Sequence, residues 1–427
     1  MSEGDIHRAE ELLRNFKGDN YAFGNGALGK VGGYAAKLGR KLVVVSDPQI
    51  RKIGVTNIVI QSLEKEGLIV VDEFDGARAN APREDVYRLA YQLASSEWDG
   101  VISIGGGSCI DSSKAALTLA TYGGVIDDYF GTGKVSEKSG GNKNSLIAVQ
   151  TASSSGAHLT KYSNITDMTT YQKKLIVDES IVPKSSVFQY DVTRTMPQSL
   201  TRDGGLDGIA HCWEVWMGST GKDYYNKMSE IAYLAIKLIV ENIPTAIKNG
   251  NDLNARYALG LGTDLGGYSI MVGGTNAGHL GSFSLIDILS HGRACAILNP
   301  YYTILFGNAI QDQLKRISNI YRSAGFITED LTGLEGRDLA EVVAKSMLAL
   351  SRSIDFPTTL KEAGATVEHI KKMLAAAKDP QLKMKLQNMP IPMDVAAGDI
   401  DTLMKPTLEA AYTGDLTLIP ELKLNPW

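Results

Sequence analysis

Two patterns of apolar spacing alternate along the first half of the chain. Continuous aliphatic runs at Lys41–Ser46, at residues 68–71 and 99–104, and at Leu146–Gln150 predict buried strands. Between them, residues 58–66 and 83–96 carry apolar side chains at helical intervals, as do Ile6, Leu12, Leu13 and Phe16 near the start. A further helix is expected over residues 27–38. Strands alternating with helices predict an α/β domain on a parallel sheet with helices on both faces. The pattern changes near residues 191–201, where Met196 and Pro197 precede a long succession of helical periods with few β-branched runs. From residue 204 onward only helices are expected, including 224–241, 253–271, 312–324, 336–353 and 400–412. The expected organisation is an α/β domain over residues 1–195 and an all-helical domain over 196–427. Residues 136–143 read as a mobile surface loop.

Composition narrows the function classes. The 427 residues are 44% hydrophobic and 21% charged, as in ordinary globular proteins, and the net charge is −5. No basic run tracks a phosphate backbone, so nucleic acid is not an expected partner. No apolar stretch of about 18 residues and no apolar signal core appear, and a cytoplasmic protein is expected. Cys109, Cys212 and Cys295 are isolated and form neither a disulfide framework nor a paired zinc pattern.

Two stretches carry chemistry. Asp207 and His211 lie four residues apart on an expected helix, which stacks a carboxylate and an imidazole on one face about one turn apart. The pair fits half of a divalent-metal site, and it also fits a solvated helix face. His279 and His291 are the candidates for the other half, since three of the six histidines fall in this glycine-rich, weakly charged region. The second stretch is Gly105-Gly106-Gly107-Ser108, where a strand runs into glycines and then a helix. Such a turn exposes N–H groups at a positive helix end and suits a pyrophosphate, or is a plain glycine turn. Thr151 and Ser155, after the strand ending at Gln150, offer hydroxyls to a ligand or to a helix cap. The Gly24-Asn25-Gly26-Ala27-Leu28-Gly29 match to GxGxxG is set aside, because no buried strand is expected immediately before it.

Over nearly its whole length the chain resembles the iron-containing (type III) alcohol dehydrogenase family. The resemblance is carried by Asp47 after a first strand, Gly105-Gly106-Gly107-Ser108 with Asp111 and Lys114, and Asp207, His211 and Glu214 on one helix. It continues in His279, His291-Gly292 before Asn299-Pro300, and Tyr412-Thr413-Gly414-Asp415. It implies the dehydroquinate-synthase-like fold of that family and an alcohol dehydrogenase or aldehyde reductase moving hydride between a nicotinamide and a small alcohol or aldehyde. It also implies a homo-oligomer, a dimer or larger. One divalent metal, Fe2+ in preference to Zn2+, would be held by Asp207, His211, His279 and His291. The dinucleotide would lie against Asp47, Gly105, Gly106, Gly107, Ser108, Asp111, Thr151, Ser155 and one of Lys173 and Lys174. NAD(H) is expected in preference to NADP(H), because Asp47 would accept from ribose hydroxyls and repel a 2′-phosphate by about 4 kcal/mol at ~4 Å; Asp47-Pro48 also fits a plain strand end and helix start, and the nearby Arg51 or Lys52 could swing round to a phosphate.

Three departures from the family stand out. His279 and His291 are unusually close in sequence, Phe283 stands where a further histidine is usual, and Ala157-His158 replaces a usual Ser-Glu. His158 reads either as a proton relay near the site or as a solvated loop residue. Trp213, Phe283, Tyr301 and Tyr302 are candidates for an apolar substrate pocket or for plain core. Competing functions are a dehydroquinate-synthase-like or glycerol-dehydrogenase-like enzyme on a polar substrate, and a non-catalytic metal or nucleotide binder.

Overall fold

The computed structural model describes residues 2–139 and 145–422. The strands among them are β1 (Tyr21–Phe23), β2 (Lys41–Ser46), β3 (Ile69–Asp75), β4 (Gly100–Gly105), β5 (Gly131–Thr132), β6 (Leu146–Gln150), β7 (Tyr162–Asp167), β8 (Gln172–Val177) and β9 (Ser185–Phe188). Six of them form a wholly parallel sheet in the order β1-β9-β6-β4-β2-β3. Alternation along β2 sends Val43 and Val45 into one apolar cluster and Leu42 and Val44 into another. Both faces of the sheet are thus covered, which is why the central strands read as unbroken aliphatic runs.

A second, three-stranded sheet, β5-β8-β7, was not expected. Its strands break their apolar residues with polar ones, as in Tyr162-Ser163-Asn164-Ile165, and lack the continuous run that marks a doubly buried strand. Strand β3 extends to Asp75, beyond the expected end, because it lies at the sheet edge and tolerates Asp72 and Glu73. The expected helix over 27–38 is a 3₁₀ turn, Ala27–Lys30, followed by the single turn Val31–Ala35. The reason for setting aside the 24–29 glycines also changes, since β1 immediately precedes them. Of the expected loop 136–143, residues up to Ser139 belong to the helix Lys134–Ser139. The rest lies outside the described residues.

From residue 204 on, the described elements are helical, including Gln198–Gly218, Tyr225–Lys248, Leu253–Val272, His291–Leu305, Gln311–Ser323 and Gly336–Ser353. The chain divides into two compact units. One holds Glu10–Met196 and Gly250–Gly260; the other holds the residues up to Ala9, Pro197–Asn249 and the residues from Leu261 on. A single boundary therefore does not describe the partition. In the helical unit the chain start is tied down by Asp5 to Lys237 at 2.7 Å and Arg8 to Glu230 at 2.6 Å. In the α/β unit Tyr257 donates to Glu10 at 2.6 Å.

Candidate active site

Three segments of the helical unit converge on one point. Asp207 and His211 project from the helix Gln198–Gly218, His279 from the short helix Ala277–Ser282, and His291 from the first position of His291–Leu305. One ligand atom from each of the four lies within 4.8 Å of the others. Glycines permit this approach: a methyl group at Gly292 would stand 2.5 Å from the Asp203 carbonyl and 2.7 Å from Asp207 Cβ, and one at Gly278 2.5 Å from Glu214 Oε1.

The distances suit an ion better than hydrogen bonds. Asp207 Oδ1 is 3.8 Å from His211 Nε2 and 3.9 Å from His279 Nε2. Those separations exceed hydrogen-bonding range and leave room between the atoms for an ion bonded to each at about 2 Å. The far nitrogens are engaged as in metal sites. His279 Nδ1 donates to Glu214 Oε1 at 2.8 Å. Ser282 gives its single hydroxyl hydrogen to the His279 carbonyl at 2.7 Å and therefore accepts from His291 Nδ1–H at 2.9 Å. With Nδ1 engaged in this way, each ring has its Nε2 to offer inward as a ligand. His211 Nδ1 is buried without a hydrogen-bond partner among the described residues, and burial pushes the ring down to about 4, so it is neutral at pH 7. One carboxylate and three imidazoles fit a divalent iron or zinc ion.

Behind this cluster lies a polar shell. Glu214, fully buried, accepts from Asn276 N at 2.8 Å, His279 N at 3.3 Å and Asn299 Nδ2 at 3.1 Å, besides His279 Nδ1. Burial raises its pKa, while these donors and the charge of Lys385 oppose the rise. Lys385 is itself buried and donates to Thr275 Oγ1, with its ammonium 5.7 Å from the Phe283 ring centroid. Burial lowers its pKa to about 8. Ser282 and Lys385 carry no motif signal, and Glu214 and Asn299 had places in the motif without a role.

In the α/β unit the glycine turn follows the expected form. β4 ends at Gly105 and the helix Gly107–Tyr122 begins directly after Gly106. Packing within the chain accounts for two of the glycines, since a methyl group would lie 2.6 Å from Cys109 Cβ at Gly105 and 2.5 Å from Ser155 Oγ at Gly107. At Gly106 it would meet only Ala152 Cβ, at an ordinary 3.7 Å, and φ there is −81°. Nothing in the described chain needs glycine at 106. Thr151 N donates to the Gly105 carbonyl at 3.2 Å, so Thr151 and Ser155 border the same turn. Ser108 Oγ accepts from Asn80 N at 3.0 Å.

Other expected residues have structural duties. Asp47 caps the helix Pro48–Lys52, accepting from Gln49 N at 2.8 Å. Arg51 is held by Asp75 at 2.5 Å and, more loosely, by Glu73 at 3.8 Å. Asp111 is buried and accepts from Asn164 N at 3.0 Å; burial raises its pKa. Lys114 donates to the carbonyls of Ala157, Thr160 and Tyr162 at 2.7–2.8 Å, and burial lowers its pKa to about 8. Lys173 and Lys174 point to opposite faces of β8. Lys173 is buried and acts electrostatically on Asp111, whereas Lys174 pairs with Asp127 at 3.2 Å.

One expectation is corrected and one open choice is narrowed. His158 is not a solvated loop residue: it is 0% exposed, its Nε2 lies 3.2 Å from Tyr21 Oη, and its ring packs on Phe188. Its burial depends on β1 and β9, two strands the apolar pattern does not reveal. Trp213, Tyr301 and Tyr302 are core residues, with Trp213 Nε1 donating to Thr303 at 2.8 Å and Tyr301 Oη to the Thr358 carbonyl at 2.8 Å. Phe283 alone of the four stands at the cluster, stacked 5.9 Å from the His291 ring.

With this geometry in hand, known proteins show consistent likenesses. Residues 19–190 match the family model described as iron-containing alcohol dehydrogenase, and residues 201–403 match that of the Fe-containing alcohol dehydrogenase family, C-terminal. Alcohol dehydrogenase 4 of Saccharomyces cerevisiae (strain YJM789) is 30% identical over 350 residues, 81% of this chain and 87% of that one. The NAD-dependent methanol dehydrogenase of Bacillus methanolicus is 27% identical over 350 residues, 81% and 88% of the two chains. Among solved structures, an alcohol dehydrogenase from Oenococcus oeni superposes with a TM-score of 0.79 at 26% identity, covering 92% of this chain and 98% of that one.

Proposed function

The chain belongs to the iron-containing alcohol dehydrogenase family, and from that membership we propose how its residues divide the work of an NAD-dependent oxidoreductase acting on CH–OH groups. The observation that carries the assignment is the convergence of Asp207, His211, His279 and His291 within 4.8 Å from three segments. We assign the metal to these four residues, Fe2+ in preference to Zn2+, and the helical region from about residue 196 to this task. The α/β region up to about residue 195 is assigned to NAD(H), with Gly105–Ser108, Thr151, Ser155 and Asp47 along the dinucleotide and Lys173, rather than the Asp127-paired Lys174, as the cofactor lysine.

When bound, the metal supplies positive charge to the oxygen of a small alcohol or aldehyde, and the nicotinamide accepts or supplies the hydride. The chain's own residues prepare for this. Three imidazoles and one carboxylate leave a dication with net positive charge, and Glu214 and Ser282 hold two of the rings with Nε2 inward. Gly106 leaves the backbone open to a pyrophosphate at a helix N-terminus. Arg51, engaged by Asp75, is not poised for a 2′-phosphate, which together with the Asp47 carboxylate supports NAD(H) over NADP(H).

Asp111 and Lys114 act at one remove, by fastening the helix Gly107–Tyr122 to β7 and the segment before it. A cytoplasmic homo-oligomer, a dimer or larger, is proposed. No helix among the described residues is long and apolar enough to cross a membrane. A panel of alcohols and aldehydes with NAD(H) and NADP(H), followed by nicotinamide absorbance after loading with Fe2+, tests the function. Absence of turnover with every member would refute it.

A further inference from the structure

His291 is the least secured of the four assigned ligands. Asp207, His211 and His279 are buried, whereas His291 is partly exposed. It also occupies the first position of the helix His291–Leu305, and a helix end is where backbone hydrogen bonds are fewest. The chain on either side of it is nevertheless gripped from outside the helix. Ser290, at the N-cap, gives its hydroxyl hydrogen to Asp203 Oδ2 at 2.5 Å, and Arg293 donates to Asp203 Oδ1 from Nε at 3.1 Å and from Nη2 at 3.0 Å. Asp203 stands one turn before Asp207 on the helix Gln198–Gly218. One carboxylate on the helix of two ligands therefore holds the chain before and after a third.

Local helix chemistry does not call for this arrangement. A serine at an N-cap ordinarily accepts from the N–H of the second or third helical residue, and among the described residues Ser290 Oγ makes no such bond. Its hydroxyl serves the neighbouring helix instead. The Asp203–Arg293 pair is also more than a solvated surface contact: the two side chains are 13% and 29% exposed, and the guanidinium lies 5.3 Å from the ring centroid of the buried Phe356. Between the two grips, Gly292 brings the backbone of the first turn directly against the Asp203 carbonyl and Asp207 Cβ. Side chains and backbone alike thus press residues 290–293 onto the turn that carries Asp207.

We propose that Asp203 is a positioning residue for the metal centre: by holding Ser290 and Arg293 it fixes the first turn of His291–Leu305 on the ligand helix and keeps His291 beside Asp207, His211 and His279. The inference rests on the metal assignment made above and adds to it a residue outside the four ligands. Its task differs from that of Ser282. Ser282 sets the rotation of the His291 ring through Nδ1, whereas Asp203 holds the backbone from which that ring projects. Without Asp203 the first turn is free to fray, and the bound ion itself has to order it. That ordering costs conformational entropy and subtracts from metal affinity.

The experiment is a double-mutant cycle on Zn2+ affinity, measured by chelator competition with metal-stripped wild type, Asp203→Ala, His291→Ala and the variant carrying both substitutions. Asp203→Ala is expected to weaken Zn2+ binding about ten-fold, the lower end of what loss of an outer support does to a metal site. In the His291→Ala background the same substitution is expected to change the affinity by less than about two-fold, because the ligand it positions is gone. A role in fold stability alone would leave the affinity unmoved or lower it equally in both backgrounds, and either result overturns the inference. A His291→Ala protein that binds Zn2+ as tightly as wild type overturns the metal assignment too. An affinity lowered by His291→Ala and untouched by Asp203→Ala overturns the inference alone, so the two failures are told apart by which variant shows them. If Asp203→Ala does not fold, Ser290→Ala combined with Arg293→Met strips both donors while leaving Asp203 in place. It then takes the place of Asp203→Ala in the cycle, with the same expected and overturning results.

Discussion

Replacing Glu214 by Gln changes one oxygen to an NH2 group and nothing in volume, yet it strikes the support of a metal ligand. Glu214 Oε2 accepts from two backbone N–H groups, Asn276 at 2.8 Å and His279 at 3.3 Å, so the remaining amide oxygen of a glutamine belongs there. Its NH2 then faces His279 Nδ1 and Asn299 Nδ2, both donors. Asn299 escapes by turning its amide. His279 does not: either the Nδ1 hydrogen bond is lost, or the proton moves to Nε2 and the nitrogen aimed at Asp207 ceases to be a ligand. Loss of such a support weakens metal binding on the order of 10–100-fold, about 1.4–2.7 kcal/mol. Stability falls by about 1–3 kcal/mol for the lost charge-assisted bond. Zn2+ affinity by chelator competition and the urea midpoint of the metal-free protein measure the two effects separately. An affinity within about two-fold of wild type would refute the reasoning, whatever happens to stability.

Three other outcomes are expected. Gly106→Val should weaken NAD(H) binding in a fluorescence titration and leave metal content and unfolding midpoint unchanged, whereas Gly107→Ala, pressed at 2.5 Å against Ser155 Oγ, should lower the midpoint as well; equal behaviour of the two would remove the ligand reading of Gly106. Asp47→Gly should lower the NAD(H) to NADP(H) ratio of kcat/KM by roughly ten-fold or more at a stability cost of only a few tenths of a kcal/mol for the lost cap; an unchanged ratio would take Asp47 out of cofactor choice. His211, lowered to about 4 by burial, contributes stability that is fully present above its unfolded value near 6.5 and is lost as pH falls through about 4. Metal-free wild type should therefore lose about 2 kcal/mol more than His211→Gln between pH 7 and pH 5, and equal losses in urea titrations would contradict the buried neutral ring.

What the chain disclosed before folding follows from how each residue is buried. β2, β4 and β6 are covered on both faces, so their side chains are apolar without interruption and the runs are visible. β7 and β8 pair in a small separate sheet, β9 is four residues long and β1 is a three-residue edge, and none leaves such a run. That gap propagated to His158, whose surroundings come from β1 and β9. Asp207 and His211 announce themselves by helical spacing, and the two remaining histidines by their scarcity and by family likeness. Glu214 stood in the motif, but its duty depends on Asn276 and Asn299, which only the packing of three helices brings to it. Lys385 was invisible, because a lysine among Lys383, Met384 and Leu386 reads as a solvated helix position until Thr275 and Phe283 are seen around it. Gly106 shows the reverse: its motif was plain, and the structure adds that no packing requirement explains it.

The central claim is that hydride transfer to NAD depends on one metal held by Asp207, His211, His279 and His291. It is tested most directly by following NADH formation from a simple alcohol with Fe2+-loaded wild type and His279→Ala side by side, with metal content determined on the same samples. Wild type should turn over with one metal per chain, lose activity on chelation and regain it with Fe2+, while His279→Ala stays folded, binds NAD(H) and shows neither metal nor turnover. A His279→Ala protein with full metal content and wild-type turnover would contradict the account.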